Sequence, residues 1–272
     1  MACTLGLAAW QTRLALIVAV ASALCTVSPA AAGTDCAGNP EALGTSRILP
    51  VDGSTPRVGR KHFPDTLPLA EKEVVLTFDD GPLAGTTERV LAALKAECVR
   101  ATFFLLGRMA EAAPALVRRE RTEGHTVAYH SYGHPILTHL HPERATTDIR
   151  RGMIAVDIAA YGNAAGSPRT PFFRFPGFAS SPALLDWAAE HGIIVFGADV
   201  WASDWNAMTP QDELRLIMGR LQRSHGGILL MHDTKQQTAA MLPSLLRALK
   251  TGGYKVVHIV PARPTAASAN ER

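Results

Sequence analysis

No run of basic residues interleaved with aromatics occurs in this 272-residue chain, and its formal net charge is only +3, so nucleic acid is not suggested as a partner. A balance this mildly basic tolerates an acidic cell-wall polymer without specifying one. Cysteine is scarce. The four present, Cys3, Cys25, Cys36 and Cys98, have spacings that suit no zinc knuckle, which argues against a cysteine-based metal site. No sequence repeat is visible, so a repeat array is not expected. Beyond residue 24 no apolar run is long enough to span a bilayer.

What is present begins with a targeting pattern. Arg13 is the sole charge before an apolar stretch from Leu14 to Leu24, and Ala30-Ala31-Ala32 precedes Gly33 as a small-residue cleavage site. Residues 1–32 therefore read as a signal peptide, with an uncleaved anchor as the alternative, and the mature protein is expected to be secreted or periplasmic. Cys36 and Cys98 remain after cleavage, and an oxidising compartment permits a bridge between them, though spacing does not say whether they meet. Residues 33–70 are rich in Gly, Pro, Ser and Thr and read as a linker or an N-terminal arm. Residues 71–261 read as one domain, and 262–272 as a C-terminal tail.

At 47% hydrophobic residues, the chain can bury a substantial core. From Glu73 onward, strand-like and helix-like stretches alternate. Strands are expected at 74–79, 101–106, 127–130, 172–175, 193–200, 227–232 and 256–260. Helical spacing is read over 87–97, 109–122, 142–161, 182–191, 210–223 and 239–250. This alternation argues for an α/β fold with a parallel sheet and helices outside. About seven such units suggest a barrel, whose sites form at the carboxyl ends of strands, although periodicity alone does not exclude an open doubly wound sheet.

Two stretches carry most of the chemistry. The buried run Val74-Val75-Leu76 leads into Thr77-Phe78-Asp79-Asp80-Gly81-Pro82, which puts two carboxylates where a strand breaks into a turn. Taken alone, this is equally a solvated Asp-Asp-Gly turn. A second run, Thr126-Val127-Ala128-Tyr129, ends in His130-Ser131-Tyr132-Gly133-His134-Pro135, whose histidines can converge if the segment curls. One carboxylate and two imidazoles make a reasonable set for zinc or a similar divalent ion, with positions left open for water and substrate. A lone pair of either kind is usually ordinary surface chemistry, but the coincidence of both at strand ends favours a site. Arg174 and His232 also follow apolar runs. An arginine there can hold a carboxylate ionised or make a structural salt bridge. A histidine there can serve as a general acid or as a satisfied structural residue.

At these motifs the chain resembles the NodB-type polysaccharide deacetylases, carbohydrate esterase family four. The resemblance runs from Thr77-Phe78-Asp79-Asp80-Gly81-Pro82 and His130-Ser131-Tyr132-Gly133-His134-Pro135 through Arg174-Phe175-Pro176-Gly177 and Asp204-Trp205 to Leu229-Leu230-Met231-His232-Asp233. It implies a distorted, incomplete (β/α) barrel. It further implies a divalent metal, zinc by expectation, on Asp80, His130 and His134. Asp79 becomes the base, steadied by Arg174, and His232 the acid, tuned by Asp204. Trp205 and Leu230 would wall the acetyl pocket, and the Gly177 N–H would help receive the oxyanion. The family has an aromatic where Gly177 stands, so the substrate groove is expected to be wider there. The family's earlier motif-four aspartate is replaced by Trp201, and Asp199 is not carried over. The expected activity is metal-dependent N-deacetylation of an N-acetylglucosamine-containing polymer or oligomer, of chitin or peptidoglycan type. The alternatives are O-deacetylation of acetylated xylan and a secreted glycan-binding module with a degenerate site. The polymer and the oligomeric state are not written in the sequence.

Overall fold

The computed structural model describes Met1, Cys36 and residues 38–262. Nearly all of the expected signal segment, and residues 263–272 of the expected tail, lie outside the described residues. No helix among the described residues is long and apolar enough to cross a membrane.

The central strand is β3 (Glu73–Asp79), buried along its whole length. Its side chains alternate between two cores, as the two-residue period of a strand requires. Val74, Leu76 and Phe78 join an outer core under the helices, while Val75 joins an inner core within the barrel. Thr77 and Asp79 follow Val75 on the inner face. Four parallel strands continue on one side of β3: β4 (Thr102–Leu105), β5 (Thr126–Tyr129), β6 (Phe172–Phe173) and β7 (Ile194–Phe196). On the other side lie β9 (Gly226–His232) and then β8 (Val200–Trp201). Among the described residues β7 and β8 do not pair with each other, so these seven strands form a parallel barrel with an open seam. Phe104, Phe172 and Phe196 pack against one another in the inner core, each worth about 1.5–3 kcal/mol by burial.

The helices cover the outside: α1 (Thr87–Ala96), α2 (Gly107–Ala112), α3 (Pro114–Thr122), α4 (Pro142–Tyr161), α5 (Pro182–Glu190), α6 (Pro210–Ser224) and α7 (Gln236–Thr251). The single helix expected over 109–122 is two, because Pro114 cannot continue a helix and pushes Ala113 out of helical geometry. The strand expected over 193–200 is also two. It breaks at Gly197, whose N–H donates to the Val58 carbonyl at 2.6 Å and where a side chain would meet His62. The strand expected over 172–175 ends at Phe173, which leaves Arg174 free to point into the barrel mouth.

The stretch expected as a linker or arm contains two strands. β1 (Thr45–Val51) pairs in parallel with β10 (Lys255–Pro261), and β2 (Arg57–Val58) pairs with β7 at the seam. Val51, Val58 and Leu67 from this stretch, with Val257 and Ile259 of β10, join the inner core. Cys36 and Cys98 form a disulfide with a Cα separation of 5.7 Å, tying the start of the arm to the end of α1.

Candidate active site

The carboxyl ends of β3, β5, β8 and β9 and the segment after β6 all open into one cavity of about 370 Å³. Asp79 is the last inward residue of β3 and is 2% exposed. Its neighbour on an extended strand would face outward, but Asp80 takes a left-handed conformation (φ 74°), which turns its carboxylate into the same cavity. Behind it, Gly81 approaches the buried Asp233 so closely that a side chain there would collide with that carboxylate.

His130 and His134 sit on the loop after β5. Ser131 (φ 71°) and His134 (φ 63°) are also left-handed, and this curls the loop so that both imidazoles face Asp80. The Nδ1 of His130 lies 2.7 Å from the Arg174 carbonyl oxygen. A carbonyl only accepts, so Nδ1 carries the hydrogen and Nε2 presents its lone pair to the cavity. Burial pushes the imidazolium of His130 down to about 3, against the opposing charge of Asp80, so the ring is neutral. Nε2 of His130 and Nε2 of His134 each lie 3.5 Å from Asp80 Oδ1. That oxygen is buried and has no hydrogen-bond partner. A buried carboxylate oxygen left without a partner beside two imidazoles, one of which presents a lone pair, is unfavourable unless a cation lies among them, and ligand atoms of all three residues fall within 4.8 Å of one another. Asp80, His130 and His134 therefore fit a divalent metal.

Arg174 is fully buried and spends its guanidinium on the site. It donates to Asp79 Oδ1 at 2.6 Å, to Thr77 Oγ1 at 2.9 Å and to the Gly197 carbonyl at 2.9 Å, and it stacks 4.2 Å from the Phe104 ring. The ion pair expected between Arg174 and Asp79 is present. Its effect on proton affinity is only partial: burial pushes the Asp79 carboxyl up, and Arg174 pulls back without overcoming it. A carboxylate poised in this way is a better proton acceptor than one held at the ordinary value.

On the opposite wall, His232 ends β9. Its Nδ1 lies 2.7 Å from Asp204 Oδ1, and its backbone N–H donates to Asp204 Oδ2 at 2.7 Å. Burial alone lowers the imidazolium of His232, but Asp204, with Asp79 and Asp80 behind it, carries it up to about 9. Thr238 Oγ1 lies 2.8 Å from Asp204 Oδ2 and 2.9 Å from Glu213 Oε1. One hydroxyl has one proton to give, so it cannot donate to two carboxylates. Burial pushes the Glu213 carboxyl up to about 7, which fits a protonated Glu213 donating to Thr238 while Thr238 donates to Asp204.

The remaining expected residues also line the cavity. Leu230 is buried, and Trp205 stands at the rim, 48% exposed, edge-on to His232. Gly177 (φ 57°) makes no backbone N–H hydrogen bond among the described residues, whereas Phe178 N–H and Ala179 N–H are taken by Phe175 and Pro176. The gap expected from the lost aromatic is filled by the next residue. Phe178 lines the cavity and stacks on His62 at 3.8 Å. Motif spacing carries no signal for Phe178, Trp201 or Lys235 in the cavity wall, nor for His62 behind Phe178. Asp199, not carried over from the motif, lies outside this cavity. It accepts from Arg60 N–H, Thr66 Oγ1 and Ile228 N–H and so holds the arm across the seam.

This barrel and this cluster are shared with the polysaccharide deacetylase family. Residues 67–196 match the family described as "Polysaccharide deacetylase", and the chain belongs to that family. It is 31% identical over 194 residues to a peptidoglycan-N-acetylglucosamine deacetylase of Bacillus cereus, covering 70% of this chain and 68% of that protein. It is 32% identical over 209 residues to the peptidoglycan-N-acetylglucosamine deacetylase PgdA of Listeria monocytogenes, covering 74% of this chain and 42% of that protein. A peptidoglycan deacetylase of Bdellovibrio bacteriovorus superposes with a TM-score of 0.71 at 29% identity, covering 81% of this chain and 60% of that one. The chain thus spans less than half the length of the Listeria relative.

Proposed function

We propose that this chain removes the acetyl group from N-acetylglucosamine units of a glycan of peptidoglycan type, releasing acetate and leaving a free amine. The observation that carries this reading is the cavity in which a buried carboxylate, Asp79, and a charged imidazole, His232, flank the Asp80–His130–His134 cluster with its partnerless oxygen. The peptidoglycan deacetylases among the relatives support the choice of glycan. The donor set accepts several divalent ions, of which we take zinc; when bound it would supply a positive charge that polarises a carbonyl and acidifies water.

The chain's own residues then divide the work. Asp79 Oδ1 is engaged by Arg174, so Oδ2 takes the proton from the attacking water. The Gly177 N–H hydrogen-bonds the oxygen that develops negative charge as water adds to the acetyl carbon. His232 Nε2 gives its proton to the departing nitrogen as the C–N bond breaks, and Asp204 stabilises the imidazolium until that moment. Trp205 and Leu230 exclude water around the methyl group. The Cys36–Cys98 disulfide and the leader pattern support an extracytoplasmic location.

The test is acetate release from the purified chain on peptidoglycan, N-acetylglucosamine oligomers and acetylxylan, each with chelator and with added zinc. Zinc-restored release from the N-acetylated glycans is expected. Release from acetylxylan alone would move the reaction to esters, and tight glycan binding with no release from any substrate would leave a binding module.

A further inference from the structure

The outer face of α4 carries apolar side chains that the barrel does not use. Seven large hydrophobic side chains are exposed among the described residues, and three of them, Ile154, Ile158 and Tyr161, stand on successive turns of this one helix. At spacings of four and three residues they form a single stripe. Ile154 also edges a cleft of about 260 Å³, shared with Met153, Pro168, Trp187 and Arg150. Isolated exposed hydrophobics are ordinary, but a contiguous row at the rim of an apolar cleft marks a contact surface.

Cations frame the stripe. The guanidinium groups of Arg121 and Arg169 lie 5.2 and 4.6 Å from the centre of the Tyr161 ring. Arg121 Nε donates to the Ala160 carbonyl at 2.9 Å, and the Arg150 guanidinium lies 5.4 Å from the centre of the Trp187 ring in the cleft. All three arginines are exposed, and among the described residues none makes an ion pair with a carboxylate. Asp157, the acid in the cleft wall, is buried and accepts from the Tyr129 hydroxyl at 2.7 Å. The face is thus apolar along its middle and positive at its edges.

That combination selects the occupant. A second copy of the chain, docked through the same face about a two-fold axis, would set cation against cation. A soluble polyanion would pair with the arginines but leave Ile154 and Ile158 in water. An anionic bilayer matches both parts. Its acyl boundary receives the isoleucines, its headgroup layer suits the amphipathic tyrosine, and its phosphates pair with the guanidinium groups. We propose that the carboxyl-terminal half of α4 docks the domain on an anionic lipid surface, with Ile154, Ile158 and Tyr161 entering the interface and Arg121, Arg150 and Arg169 bound to headgroup phosphates. The helix leads from the loop after β5 towards the amino end of β6, so Tyr161 lies at the end of the barrel away from Asp79 and His232. A domain docked there keeps its catalytic cavity clear of the lipid. The contact goes beyond the deacetylase reading and does not depend on it.

The test is co-sedimentation of residues 33–272 with vesicles. These residues hold the whole barrel and both cysteines of its disulfide, whereas the apolar run from Leu14 to Leu24 would bind lipid by itself. Vesicles of phosphatidylcholine and phosphatidylglycerol in equal parts are compared with pure phosphatidylcholine. The anionic vesicles should bind at least about tenfold more tightly, and the difference should shrink as salt rises from about 0.05 to 0.5 M. Arg121→Gln/Arg169→Gln should weaken binding to them by about 10–30-fold. Ile154→Gln/Ile158→Gln should weaken it by about tenfold while leaving affinity for soluble polyglutamate unchanged. All four side chains are exposed, so each variant should keep the parent's thermal midpoint within about 2 °C. Equal binding to the two vesicle types overturns the proposal. So does an isoleucine variant that binds vesicles like its parent, which would make the ligand of this face a polyanion. A dimer of the parent that the isoleucine variant abolishes, without vesicle binding by either, would give the face to a second copy and overturn it as well.

Discussion

The backbone carbonyl of Arg174 accepts a hydrogen bond from Nδ1 of His130 at 2.7 Å, while the guanidinium of the same arginine grips Asp79 at 2.6 Å. One residue thus orients a metal-facing histidine with its main chain and the candidate base with its side chain. The two functions separate under substitution. Arg174→Gln should strand a buried carboxylate and cost about 3–5 kcal/mol in chemical denaturation. It should depress acetate release and still leave the carbonyl for His130, so zinc content per chain should hold.

Asp79→Asn should lower turnover by about 10²–10⁴-fold, the usual worth of a positioned base, with zinc still bound. The readout is acetate release alongside metal analysis of the dialysed protein. Loss of zinc from this variant would mean that the two adjacent aspartates have exchanged the roles assigned to them.

In the proposed mechanism protonated His232 is the proton donor, and its pKa is raised to about 9. Activity should therefore persist through neutral pH and fall as pH climbs through about 9. The same ion pair stabilises the fold fully below the ordinary histidine value of about 6.5, and that stability is lost as pH rises through the raised value. Asp204→Asn should move the basic limb of the pH–rate profile downward. Glu213, with its carboxyl at about 7, is ionised at the pH of that limb, so Glu213→Gln removes a negative charge near His232 and should also move the limb downward, by less than Asp204→Asn. A limb unmoved in Glu213→Gln would show that Glu213 exerts no electrostatic pull on His232.

Gly152 of α4 lies against the carbonyl of Ser131, within the loop that carries His130 and His134, and a side chain there would collide with it. Gly152→Val should displace that loop and weaken zinc binding by about 10–100-fold, although residue 152 touches no ligand. Competition with a calibrated chelator measures the change.

Replacing both Cys36 and Cys98 with serine opens a loop whose ends are 62 residues apart in sequence. On chain entropy alone this should cost about 4 kcal/mol of stability. Urea denaturation of the double variant against the oxidised parent tests it. An unchanged midpoint would mean that β1 pairing alone holds the arm in place.

The candidate site was legible as a cluster because each of its principal residues ends an apolar run, and such a run ends where a barrel strand reaches its mouth. Asp79, His130, Arg174 and His232 all follow this rule. What escaped notice lacks that signal. β1 reads TSRILPV, with Ile48 exposed and Pro50 within it, so its alternation is blurred, and its partner lies some two hundred residues away. β2 has only two residues. Phe178 reaches the cavity because Gly177 and Phe178 both take left-handed turns, and no motif spacing encodes that. Trp201 and Lys235 enter the wall through tertiary placement, after a strand break at Gly197 and at the entry to α7, neither of which has a periodic signature.

The position of β10 bears on the order in which this molecule can assemble. It is slotted between β1 and β3, and Val257 and Ile259 sit with Val51 at the heart of the inner core. The last strand among the described residues thus bridges two of the earliest, giving the domain a high contact order, which predicts slow folding. Until residues 255–261 have been made, the inner edge of β1 has no neighbour and the lower half of β3 is exposed on one side. A truncation that removes only this last strand should therefore yield an aggregating chain and not a smaller working barrel, even though every residue of the catalytic cavity would still be present.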